Sequence, residues 1–161
     1  MKKRQVSMLL FFFVLAFAGQ LKAQDRGVME NYKAKVAQSF DNWVQRTGSP
    51  FDLLADDVVW TITGSSAQAK TYTSKQQLIS EVLDPLNARL SKRITPEVKG
   101  IYADGDMVIV LWRSKAETNA GKPYNGDYAW FMHFEKGKVT QVTAFLDNQK
   151  FAEAMALSEH K

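Results

Sequence analysis

The 161-residue chain has no cysteine and only two histidines, His133 and His160, which excludes thiol catalysis, disulfides, cysteine metal sites and multi-histidine metal sites. Its formal charge of +4 comes from the N-terminus: four of the 21 Lys and Arg (Lys2, Lys3, Arg4, Lys22) and none of the 17 acids lie in residues 1–23. Residues 24–161 therefore carry 17 charges of each sign, and no basic patch argues for nucleic acid or an anionic membrane.

Lys2, Lys3 and Arg4 precede an apolar run from Met8 to Ala18, which is shorter than the roughly 20 residues of a membrane-spanning helix. This is the pattern of a signal peptide over residues 1–23, with an uncleaved membrane anchor as the alternative. Cleavage falls after Ala18 or after Ala23, with Ala23 preferred, and the protein is expected to be exported, periplasmic or secreted. No cysteine follows the run to take a lipid anchor, so no membrane association is expected after cleavage. Residues 24–161 fit a single domain long enough to bury its own core.

From about Asp25 to Thr47, Tyr32, Val36, Phe40 and Trp43/Val44 recur at helical spacing and predict a helix with one apolar face. Thr47-Gly48-Ser49-Pro50 is its stop signal. A short helical turn over Phe51–Leu54 leads into a strand, Val58 to Thr63, closed by Gly64. Ser65 to Thr73 reads as a loop. Ser74 then caps a helix with apolar positions from Leu78 to Leu90, in which Pro85 is expected to cause a kink or break.

From Ile94 the apolar period becomes two. Ile94–Ala103, Met107–Glu117, Tyr128–Glu135 and Val139–Leu146 are predicted strands, with tight turns at Asp104-Gly105-Asp106 and Lys136-Gly137-Lys138. A last helix runs from about Gln149 to Leu157. Helices followed by an antiparallel meander imply an α+β domain with helices on one face of the sheet.

Specific segments then resemble a known family. Ala55-Asp56-Asp57-Val58-Val59-Trp60-Thr61-Ile62-Thr63-Gly64 resembles the first-strand motif of SnoaL-like proteins, in the ketosteroid isomerase and nuclear transport factor 2 (NTF2)-like superfamily. Asp104 to Trp112 resembles its third-strand hairpin. Pro123-Tyr124 to Trp130 and Gly137 to Asp147 resemble its last two strands. The resemblance covers most of residues 28–157 and implies a cone-shaped α+β barrel, with a curved antiparallel sheet wrapped around N-terminal helices. It also implies a hydrophobic pocket and a homodimer. The carboxylate base that ketosteroid isomerase-like enzymes carry late in the first strand is replaced here by Thr61, Ile62 and Thr63. In the Tyr-x-Asn-x-Tyr pattern before the fourth strand, Gly126 stands where Asn is expected.

Asp147, at the end of the last strand beside aromatic residues, is the candidate catalytic acid or ligand contact. Its alternative role is capping the final helix. Trp60, Trp112, Tyr128 and Trp130, with Phe145 and Tyr32, are candidate ligand-binding residues, each with core packing as the alternative. Alternation turns His133 away from Trp130 and Met132, toward an interface with Phe131. No phosphate-binding loop, nucleophile elbow or cofactor motif is present. Three functions remain open: binding of a small hydrophobic or aromatic molecule, cofactor-independent acid–base chemistry of isomerase, cyclase or hydrolase type using Asp147, and protein interaction through the outer sheet face.

Overall fold

The computed structural model describes residues 26–158. The signal peptide, both cleavage positions and His160 lie outside them. Helix α1 covers residues 26–45 and buries Val36 and Phe40. Its end differs from the expected glycine stop. Arg46, at φ 64°, is the left-handed residue, and the Thr47 N–H closes on the Asn42 carbonyl at 2.9 Å, as in a Schellman end. The Arg46 guanidinium donates to the Ile94 carbonyl at 2.9 Å and Thr95 Oγ1 at 3.1 Å. These bonds offset a backbone conformation that is costly for a non-glycine residue.

A 3₁₀ turn, Pro50–Leu53, leads into β1, Leu54–Ile62. β1 begins before the expected Val58 because Leu54 pairs with Val139. Thr71–Tyr72, expected within a loop, is a short strand, β2, paired with Trp60 and Thr61. Ser74 caps α2 as anticipated, its Oγ accepting the Gln77 N–H at 3.1 Å. Helix α2 runs from Lys75 to Asn87 through a π turn at Ile79–Leu83. Pro85 does not end it, since it sits in the first turn of Asp84–Asn87. The wider π turn before it relieves the clash a proline ring makes with the carbonyl four residues back.

Strands β3 (Leu90–Asp104), β4 (Met107–Thr118), β5 (Asp127–Glu135) and β6 (Lys138–Phe145) follow, then helix α3 (Asn148–Met155). The curved sheet has the order β2-β1-β6-β5-β4-β3. Its strands are antiparallel to their neighbours except β1 and β6, which are parallel. The sheet is thus mixed where a purely antiparallel one was expected. Alternation gives it two distinct faces. Trp130 is aligned with Val110 and Ala144, all buried against α1 and α2. Phe131 is aligned with Ile109 and Thr143 on the opposite face.

Candidate functional site

A cavity of about 350 Å³ lies between the inner sheet face and α2. Its sheet side is aromatic. Trp60 from β1, Trp112 from β4 and Tyr128 and Trp130 from β5 line it, joined by Trp43 of α1 and Phe51 of the 3₁₀ turn. Trp130 sits at the centre of this wall, with ring centroids 5.0 Å from Trp60 and 5.0 Å from Trp112, both edge to face. Trp112 stacks on Tyr128 at 4.0 Å and 10°. The facing wall is aliphatic: Leu78, Ile79, Val82, Leu83 and Leu86 of α2, closed by Phe151 of α3. Lys75, Asp52 and Asp84 also line the cavity, and the two acids are exposed. Asp52 is engaged in capping, with Oδ2 accepting the Ser49 N–H at 2.6 Å.

One end of the cavity is polar. The Tyr128 hydroxyl donates to the Tyr124 hydroxyl at 3.2 Å. Tyr124 belongs to the β4–β5 connection, and a fully buried serine fixes it there. Ser114 Oγ donates to the Tyr124 carbonyl at 3.1 Å and accepts the Gly126 N–H at 2.8 Å. A side chain at Gly126 would press on the Tyr128 ring, whose nearest atom would lie 3.3 Å from the added Cβ. Burial pushes the Tyr124 hydroxyl well above the usual tyrosine range, and the Tyr128 and Asp147 charges act in the same direction. Burial is likewise the main cause of the upward shift at Tyr128. The indole Nε1 of Trp112 is buried and has no hydrogen-bond partner.

The structure brings Trp60, Trp112, Tyr128 and Trp130 together on the cavity wall and places the other candidates elsewhere. Phe145 is aligned with Ala129 on the outer face, 48% exposed, and meets Phe131 edge to face at 5.7 Å. The inward residue of that pair of positions is Ala144. Tyr32 stacks on Phe134 at 4.4 Å and lines a separate recess with Met29 and Asp104 to Asp106. It lies on the same helix as Trp43 but about 16 Å away along the axis. Asp147 does not line the cavity; its neighbour Leu146 does. Its carboxylate caps α3 through the Lys150 N–H and faces Lys150 Nζ at 3.4 Å. His133 is on the outer face, its Nδ1 3.1 Å from Asp106 Oδ1. Arg113 also faces out, donating to both oxygens of Asp127 at 2.7 and 3.0 Å. At the end of β1, where the enzymes named above carry their base, Ile62 faces the cavity. Tyr124, Trp43, Phe51 and the α2 wall line the cavity as well, beyond the residues expected from the sequence. The apolar spacing of α2 was legible, but nothing local distinguished a cavity wall from a packed core.

A curved α+β sheet with helices on its concave face and an aromatic cavity between them defines a cone-shaped pocket protein. The SnoaL-like domain model matches residues 36–142, and the chain belongs to that family. Among solved structures, it is similar to an NTF2-like protein from Burkholderia thailandensis, with 20% identity and a TM-score of 0.63 over 78% of this chain and 98% of that one. It is also similar to TerC, co-crystallised with polyporic acid, with 17% identity and a TM-score of 0.60 over 78% and 99% of the two chains. A protein with a ketosteroid isomerase-like fold from Catenulispora acidiphila, in complex with trimethylamine, has 15% identity and a TM-score of 0.54 over 67% and 80%. At these identities the likeness concerns the fold. No curated protein matches the chain by sequence.

Proposed function

We propose that this is an exported protein that binds a small hydrophobic or aromatic molecule in the cavity between the sheet and α2. The observation that carries this reading is the wall itself. Trp43, Phe51, Trp60, Trp112, Tyr128 and Trp130 converge on about 350 Å³ of space faced by aliphatic side chains, the composition of a small-molecule pocket rather than a filled core. TerC and the Catenulispora protein, of the same fold, were each crystallised with a small molecule, which supports the reading by analogy. Binding is favoured over acid–base chemistry because Asp147 is engaged at the α3 cap and Ile62 occupies the cavity-facing place of the family's base.

The Lys2-Lys3-Arg4 cluster and the Met8–Ala18 run support export. A homodimer through the outer sheet face is part of the same proposal. Tyr102, Leu111 and Phe145 are exposed there at 58, 37 and 48%, around Ile109 and Phe131. A patch of that kind is more simply covered by a second copy than left to water.

Titration with 2-naphthol tests the binding reading. Tryptophan fluorescence should quench saturably, and the melting temperature should rise with ligand concentration by mass action. Val82→Trp, which fills the cavity from its aliphatic wall, should remove both responses. Absence of quenching and of any thermal shift in the wild type would defeat the reading.

A further inference from the structure

The Asn125-Gly126 dipeptide in the β4–β5 connection has a chemistry of its own, separate from ligand binding. Of the six asparagines, only Asn125 precedes a glycine. Glycine has no side chain to shield its backbone nitrogen, so in an unfolded chain that nitrogen readily meets the asparagine side chain. In the fold Asn125 is exposed, whereas Gly126 is buried.

Both reacting groups are restrained. The Gly126 N–H donates to Ser114 Oγ at 2.8 Å, and Ser114 is fully buried. The Ser114 N–H donates to the Gly126 carbonyl at 2.8 Å, and Ser114 Oγ donates to the Tyr124 carbonyl at 3.1 Å. The Asn125 side-chain oxygen accepts the Ala116 N–H at 3.4 Å, and its main-chain carbonyl accepts from Lys150 Nζ at 3.0 Å. A backbone nitrogen engaged in this way keeps its proton. It cannot turn toward the neighbouring Cγ without breaking buried hydrogen bonds.

We infer that Asn125 is a modification site gated by the fold: it converts to aspartate or isoaspartate when the β4–β5 connection opens, and Ser114 protects it while the connection is closed. In the open chain the Gly126 nitrogen gives up its proton and attacks Asn125 Cγ. The new N–Cγ bond replaces the Cγ–Nδ2 bond, and the side-chain amide takes up the proton and leaves as ammonia. Water then opens the cyclic imide at either carbonyl. The isoaspartate product carries one extra carbon in the main chain between Tyr124 and Gly126. Those two neighbours are anchored on the same Ser114 hydroxyl, so the longer chain cannot restore both bonds. Conversion therefore marks a molecule that has opened and keeps it from returning to the native connection.

Peptide mass spectrometry, with enzymatic methylation of isoaspartate as a second readout, follows Asn125 in wild-type protein held in mildly alkaline buffer with and without urea. Unfolded protein should convert at Asn125, and folded protein at least about 100-fold more slowly. Folded Ser114→Ala should convert about 5- to 10-fold faster than folded wild type, as expected for one lost hydrogen bond. Gly64→Ala, which weakens the fold away from Ser114, should not do so under conditions where both variants stay folded. After urea is removed, isoaspartate chains should be absent from the refolded fraction, while Asn125→Asp protein should refold. Equal rates in folded and unfolded wild type overturn the inference. So do equal acceleration by Gly64→Ala and Ser114→Ala, and isoaspartate at position 125 in refolded protein. The wild-type comparison requires no variant to fold.

Discussion

Asp147 Oδ1 accepts the backbone N–H of Lys150 at 3.2 Å, and Lys150 Nζ lies 3.4 Å from the other carboxylate oxygen. The acid that the sequence offers as a catalytic candidate is thereby the N-cap of α3. Asp147→Ala should cost about 1 kcal/mol of stability in denaturant unfolding, and Asp147→Asn clearly less. Either variant should leave 2-naphthol affinity within two-fold. A tenfold loss of affinity in a fully folded Asp147→Asn protein would return this residue to the binding site.

Gly64 closes β1 at φ 119°, and an added Cβ would fall 2.1 Å from Asn148 Nδ2. That amide donates to the Thr63 carbonyl at 2.7 Å and ties β1 to the start of α3. Gly64→Ala combines an unfavourable backbone with this clash, so it should destabilise by more than about 1 kcal/mol. Asn148→Ala removes the obstacle as well as the bond. The double variant should therefore lose less than the sum of the two single losses. Strict additivity in unfolding titrations would show that the clash is absent.

On the outer face, Phe131 and Phe145 form the aromatic centre of an apolar patch spanning β3 to β6. Phe131→Asp should convert the proposed homodimer to a monomer in sedimentation at micromolar concentration, with ligand binding retained. A wild-type monomer would count against the dimer and leave the patch to a different partner.

The fold was legible wherever periodicity was strong. The strands from Met107 onward keep the expected period of two, and their alternation correctly turned Trp130 inward and His133 outward. The errors arose at long range. Thr71–Tyr72 carries no strand pattern of its own and becomes β2 through pairing with Trp60 and Thr61. The parallel pairing of β1 with β6 joins segments far apart in sequence. Phe145, a candidate ligand contact on sequence grounds, lies on the outer face because the register with Trp130 makes Ala144 the inward residue of β6. Tyr124 was overlooked because its importance depends on Ser114 fixing an irregular connection, a contact that spacing does not encode.

Export predicts a specific chemical end. N-terminal sequencing of protein recovered from the periplasm or medium should begin at Gln24, or at Gly19 if cleavage follows Ala18. Intact Met1 in a membrane fraction would overturn the signal-peptide reading and point to an uncleaved anchor.

The tyrosine pair makes the protein sensitive to alkali. Burial raises both the Tyr124 and Tyr128 hydroxyls above the ordinary value of 10.0. In the unfolded chain the same groups ionise near that ordinary value, about 10. Below it both states hold their protons, so the favourable contribution of the neutral buried pair is complete. As pH rises past it, the unfolded state loses protons that the folded state retains, and stability falls. The melting temperature should therefore decline above about pH 10, and less steeply in Tyr124→Phe. Absorbance at 295 nm, taken as wild type minus Tyr124→Phe, should show the Tyr124 phenolate only as the circular dichroism of the fold is lost. A phenolate signal from Tyr124 in the intact protein near pH 10 would show that this end of the cavity is wet, and would defeat this prediction.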